Sequence, residues 1–90
     1  MNYTEEELQL IESMGGLFFS PKEVAINLEI DIDSFKSEIR LEEGEAYKRY
    51  QKGWIGAEIL IRQSLMESAT SGSSPAQEMI LNINKMNKNA

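Results

Sequence analysis

Between residues 33 and 40, polar side chains recur at a spacing that would bring several of them to one side of a helix. The outward-facing candidates are Asp33, Ser34, Lys36, Ser37 and Arg40. Serine hydroxyls can reach base edges or phosphates, and lysine and arginine can neutralise phosphates. Asp33 would meet such a polyanion unfavourably, although a carboxylate can accept a hydrogen bond from cytosine. We therefore predict that Ser34, Lys36, Ser37 and Arg40 are DNA-binding residues.

A second group of candidates is the densest basic cluster of the chain, which follows a few residues later. It consists of Lys48, Arg49 and Lys52, within about one helical turn of one another. These cations could bind DNA phosphates that flank the bases contacted by the first group. The alternative for any single lysine is an ordinary solvated helix face.

The first group lies in a stretch, residues 20–41, that predicts two short amphipathic helices joined by a tight polar corner. Ser20, Pro21 and Glu23 are the pattern of a capped helix start, with a capping box between the serine and the glutamate. Asp31 is the natural N-cap of a second helix, whose buried stripe would include Phe35. The arrangement is typical of a helix-turn-helix. The alternative is two consecutive helices of an ordinary bundle.

Further helices are predicted on both sides of this stretch. Thr4 and Glu7 form another capping box, and Gly15 and Gly16 should end that first helix by supplying positive φ. A long helix should run from about Glu45 to Ala69 and a last helix should begin at Pro75, capped by Ser74. We predict an all-α protein, with an N-terminal three-helix helix-turn-helix unit (residues 1–43) followed by an antiparallel helical hairpin (residues 44–90).

The predicted hairpin is more apolar than two helices need for packing against each other. Gly53 and Gly56 flank Trp54, which predicts either a break in the long helix or the close approach of another helix. The apolar face of the last helix should include Ala76, Met79, Ile80, Ile83 and Met86. The surplus apolar residues are predicted to form an oligomer interface: Trp54, Ile55, Ile59, Leu60 and Leu81. A surplus on two sides would build a ring, and a surplus on one side would build a two-fold dimer.

Composition narrows the chemistry that we expect. The 90 residues contain no cysteine and no histidine, so disulfides, thiolate metal sites and Ser-His or Cys-His nucleophiles are excluded. The glutamates come without a phosphate loop or a metal-ligand spacing. We expect no catalytic residue, no metal and no cofactor, and therefore no enzyme. The chain has no apolar run of about eighteen residues and begins with an acidic segment, so we expect a cytoplasmic protein that does not bind membranes.

Charge is unevenly divided between the two halves of the chain. Residues 1–45 have twelve acidic and three basic side chains, whereas residues 46–90 have three acidic and six basic ones. The net charge of the whole chain is −6. A DNA-binding domain usually shows a basic footprint, and the predicted helix-turn-helix does not. The acidity permits a second interpretation, in which the helix-turn-helix docks on a basic protein partner.

Four features in order resemble the small terminase subunits of tailed bacteriophages. They are the segments Ser20-Pro21-Lys22-Glu23-Val24-Ala25 through Leu28 to Asp31–Phe35, Gly44-Glu45-Ala46-Tyr47, the helix from Gly53 to Ala69, and the turn with Gly72 and Ser73 before Ala76. Together they cover roughly residues 18–83.

The resemblance implies a ring-forming oligomer that binds double-stranded viral DNA for genome packaging in a bacterial host cell. It also implies a large terminase subunit as partner, for which only residues 85–90 remain after the hairpin. The alternative function is a small dimeric helix-turn-helix transcriptional regulator or a protein-interaction adaptor, with the hairpin as its dimer interface.

Overall fold

The computed structural model describes residues 2–88, and these residues form α-helices and no strand. Met1, Asn89 and Ala90 lie outside the described residues, so the end of the segment 85–90 does too. The helices are α1 (Glu5–Gly16), α2 (Pro21–Leu28), α3 (Ile32–Arg40), α4 (Gly44–Thr70) and α5 (Ser74–Lys88). The predicted all-α class is confirmed.

The first three helices begin at the residues that the sequence predicts. Thr4 and Ser20 each accept a hydrogen bond from the backbone N–H three residues later, and Glu7 and Glu23 each accept one from the backbone N–H of the cap. Asp31 caps α3 by accepting from the N–H of Ser34 at 2.8 Å. Hydrogen bonds from the side chain and then the backbone of Ser34 lower the pKa of Asp31, and those from the backbone and then the side chain of Ser20 lower the pKa of Glu23, because they stabilise the ionised carboxylates.

The end of α1 differs from the prediction that two glycines would terminate it. Neither Gly15 nor Gly16 has positive φ; both lie inside α1, and the left-handed residue after that helix is Phe18, with φ 62°. The N–H of Phe18 donates to the carbonyl of Gly15 and the N–H of Phe19 donates to that of Met14, which is the Schellman pattern. Glu29 ends α2 in the same way, with φ 57°.

The described structure divides into two compact units, residues 1–57 and residues 58–90. The boundary lies inside α4, whereas the sequence suggests a boundary between residues 43 and 44. The first part of α4 belongs to the N-terminal unit because Ala46 and Tyr50 are buried in its core. The other members of that core are Leu8, Ile11, Val24, Ala25 and Phe35.

Backbone contact brings α1 and α4 together inside the N-terminal unit. A Cβ atom at Gly53 would overlap the carbonyl oxygen of Glu12, and one at Gly15 would overlap the carbonyl oxygen of Tyr50. A Cβ at Gly16 would lie 3.2 Å from the carbonyl oxygen of Gly53. Of the two alternatives predicted at Gly53, the close approach of another helix is therefore confirmed, and α4 continues through it without a break.

In the C-terminal unit, α5 starts one residue earlier than the sequence predicts. The cap is Ser73, whose hydroxyl accepts from the N–H of Ala76 at 3.3 Å. Gln77 follows Ser74 by three residues, the spacing of a capping box, but the box does not form, since the side-chain amide of Gln77 donates to the carbonyl of Ala69. Gly72, with φ 102°, makes the preceding turn.

The two interior glycines of α4 provide a matched test of the helix contact. Gly53→Ala should lower the free energy of unfolding by about 1–3 kcal/mol, because the methyl group must push α1 and α4 apart. Gly56→Ala should raise it by up to about 1 kcal/mol, because no atom lies within 4 Å of the new Cβ and alanine is the better helix former. Urea denaturation followed by circular dichroism at one protein concentration measures both. Equal stability of the two variants would show that the helices are not in contact at Gly53.

Candidate functional site

Four of the candidate side chains share one side of α3. At about 100° per residue, Asp33, Lys36, Ser37 and Arg40 fall within an arc of about 100°, and we call them the α3 polar face. Asp33, Lys36 and Arg40 are exposed, and Ser37 is half-buried. No ion pair or hydrogen bond engages these four side chains within residues 2–87. The face is therefore free to bind an external partner.

The fifth candidate on α3, Ser34, lies off this face. It is exposed and about 100° around the helix from Asp33. Its backbone N–H is used by the Asp31 cap. Ser34 lines a shallow depression together with Ser37, Glu38 and Leu41.

The opposite side of α3 fixes the orientation of the polar face. Phe35 is fully buried, and the ring of Tyr3 meets it edge-on with centroids 6.5 Å apart. The Tyr3 hydroxyl donates to Glu38 Oε2 at 2.7 Å. Partial burial and this hydrogen bond raise the pKa of Tyr3 well above its usual value. Glu38, an acid that would otherwise oppose a polyanion, is thus held toward the N-terminal segment.

The basic cluster at the start of α4 is divided between two environments. Lys48 and Lys52 are exposed. Arg49 is only 25% exposed and its guanidinium bridges two carboxylates of α1, at 2.8 Å from Glu12 and 2.9 Å from Glu5. Hydrogen bonds to Glu5 and Glu12 raise the pKa of Arg49, and the bond from Arg49 lowers the pKa of Glu5. Arg49 therefore joins α1 to α4, a role that the sequence alone did not indicate.

The predicted oligomer residues also occupy two environments. Trp54 is half-buried within the N-terminal unit, with its ring centroid 4.6 Å from that of Phe18 and 6.1 Å from that of Tyr50. This contact gives Trp54 a role inside its own chain. The remaining four are exposed by half or more of their surface: Ile55, Ile59, Leu60 and Leu81.

Two methionines of the last helix are more exposed than its apolar pattern predicts. Met79 is 51% exposed and Met86 is 71% exposed. The covered side of α5 is instead formed by Ala76, Ile80 and Ile83. Helical geometry could have indicated this exposure from the sequence, because Met79 and Met86 lie about 60–80° around the helix from the buried Ala76.

The many acidic side chains do not converge into a metal site in the described structure. Within residues 2–88 no group of three or more of them could hold a metal ion. No described helix combines the length and the apolar character needed to cross a bilayer.

Comparisons of the chain with protein families, curated proteins and solved structures give no match. The resemblance to small terminase subunits therefore stays a prediction.

The Arg49 bridge generates a prediction with a defined pH dependence. Arg49→Ala should lower the thermal midpoint at neutral pH by more than Arg62→Ala, which removes only an exposed pair with Glu58. The folded-state pKa of Glu5 lies below its usual 4.5. The contribution of the Glu5–Arg49 ion pair to the free energy of unfolding is therefore present above about pH 4.5 and is lost as the pH falls through the folded-state pKa of Glu5.

The difference in midpoint between wild type and Arg49→Ala should consequently shrink on acidification below about pH 4.5. Circular dichroism melting curves over a pH series measure it. A difference that stays constant down to about pH 3 would mean that the ion pair does not stabilise the folded chain.

Proposed function

We propose that this chain is the DNA-recognition (small) subunit of a phage-type terminase and acts as an oligomer that binds viral DNA for genome packaging. The observation that carries the proposal is the α3 polar face. It presents Lys36 and Arg40, free of any ion pair among the described residues, on a helix anchored by the fully buried Phe35.

The geometry of α2 and α3 suits a helix-turn-helix. Only residues 29–31 separate the two helices, and Val24 and Ala25 of α2 are buried in the same cluster as Phe35 of α3. In such motifs the second helix lies in the major groove and its N-terminal residues contact base edges. Asp33 lies in the first turn of α3, and Lys36 and Ser37 lie in the second.

The acidity of the N-terminal unit limits what one copy can do. Since counterion release scales with the number of phosphates neutralised, a monomer with Lys36, Arg40, Lys48 and Lys52 would bind DNA weakly. Linking several copies multiplies such weak contacts through effective concentration. DNA recognition by this chain therefore requires assembly.

The C-terminal unit supports assembly because its two helices bury few apolar side chains against each other. Ala76 is the one hydrophobic side chain of described residues 58–87 that is buried. Exposed large apolar side chains remain along both helices: Ile59, Leu60, Ile61, Met66, Met79, Leu81 and Met86. Two helices that bury so little need a further apolar partner to be stable.

The exposed apolar side chains occur on more than one side of each helix. On α4, Ile59 and Met66 lie about 20° apart, whereas Leu60 lies about 100° from Ile59. On α5, Leu81 lies about 160° from Met79. A two-fold dimer uses one self-complementary surface, whereas two different surfaces allow head-to-tail contacts that close into a ring. This distribution favours the ring.

A second candidate function is a small adaptor that binds a basic protein. The charge of residues 1–45 favours it, with twelve acidic and three basic side chains. The two candidates differ in whether the chain binds duplex DNA, and in whether α3 is the surface it uses.

The α3 polar face predicts a salt-dependent affinity for duplex DNA. Lys36→Ala and Arg40→Ala should each weaken binding to all duplexes and make the plot of log affinity against log salt shallower, by about one unit for each phosphate that is no longer neutralised. Fluorescence anisotropy of a labelled duplex at several salt concentrations measures this. Lys85→Ala, on α5, is the control and should leave the slope unchanged. Equal slopes for all three variants would exclude α3 as the DNA-binding surface.

The two apolar surfaces of α4 predict separate effects on assembly. Ile59→Glu and Leu60→Glu should each reduce the native mass, because a ring needs both surfaces. Ser13→Glu adds the same charge at an exposed polar position of α1, in the N-terminal unit, and should keep the wild-type mass. Light scattering on a sizing column measures the mass. A two-fold dimer that only one of the two variants dissociates would favour the dimeric regulator, and a wild-type monomer would contradict both assemblies.

A further inference from the structure

We propose that Asp33 accepts a hydrogen bond from the N4 amino group of a cytosine in the major groove and thereby sets a base preference for the α3 polar face. This inference rests on the proposed DNA-binding function. It assigns to one acidic side chain a role in specificity, where simple charge arithmetic would assign it only repulsion.

The position of Asp33 suits contact with a base edge. It is the second residue of α3, in the first turn, and it is exposed. Residues in the first turns of a recognition helix are those that reach the bases. Lys36 and Arg40 lie about 60° and about 20° from it around the helix. Their charges would offset its repulsion by the phosphates.

The side chain of Asp33 does not cap its own helix. The cap of α3 is Asp31, whose Oδ2 accepts from the N–H of Ser34 at 2.8 Å. No hydrogen bond or ion pair joins Asp33 to another side chain among residues 2–87. Its remaining structural role is a favourable interaction with the helix dipole, which any first-turn acid has.

The chemistry of an ionised carboxylate leaves one suitable base. A carboxylate only accepts hydrogen bonds, so phosphates, guanine and the O4 of thymine repel it. Adenine offers a donor at N6, but the acceptor N7 lies beside it in the groove. Cytosine presents its N4 donor with an acceptor, the guanine O6, on one side only, whereas the adenine N6 lies between N7 and the thymine O4. Asp33 in the groove should therefore favour cytosine.

The test is selection of binding sites from a pool of short DNA duplexes with a randomised centre, using the full chain. Wild type should enrich a cytosine at one position and prefer it over other bases by at least about fivefold in Kd. Asp33→Ala should lose that preference. Asp33→Asn should change it to adenine, since an asparagine amide can bond to both N6 and N7.

Glu6→Gln is the matched control. Glu6 is also an exposed acid at the second position of its helix, α1, and its loss removes the same charge without touching α3. It should leave the base preference unchanged. If Asp33→Ala binds every duplex more tightly and keeps the wild-type preference, Asp33 is only repulsive and the inference is wrong. If wild type binds no duplex even at low salt, the proposed function itself fails.

Discussion

The contact between α1 and α4 holds the N-terminal unit together. Gly53 lies against the backbone of Glu12, and Gly15 lies against the backbone of Tyr50. At this separation the guanidinium of Arg49 reaches Glu5 and Glu12 directly. The hydroxyl of Tyr50 donates to the carbonyl of Phe19, at the end of the turn that leads into α2. A larger residue at either glycine would disturb all of these contacts together.

This contact also decides which charges remain available at the surface. Arg49 is engaged with α1, whereas the other cations of the N-terminal unit are exposed: Lys22, Lys36, Arg40, Lys48 and Lys52. Glu38 is turned toward Tyr3, which leaves Asp33 as the acid of the α3 polar face. The proposed DNA binding would therefore rest on these local charges rather than on the net charge of residues 1–45. Assembly of several copies would supply the remaining affinity.

The C-terminal unit contrasts with the N-terminal one in how little it buries. The N-terminal unit has a continuous core that includes Phe35. Among described residues 58–87, by contrast, Ala76 is the one buried hydrophobic residue. A unit with exposed isoleucine, leucine and methionine on several sides has an incomplete core. Other copies of the chain are the partner that we propose for it, and oligomeric contacts would then replace the interior that its two helices lack.

The sequence by itself determined the helical class and the starts of α1, α2 and α3, because capping depends on residues within one helical turn. It also indicated which α3 side chains are polar and outward. Tertiary structure decided the roles of Gly15, Gly53 and Arg49, since their partners lie 35 to 44 residues away in the chain. It also decided that Met79 and Met86 are exposed, because a helical apolar stripe does not specify how much of its width a neighbour covers.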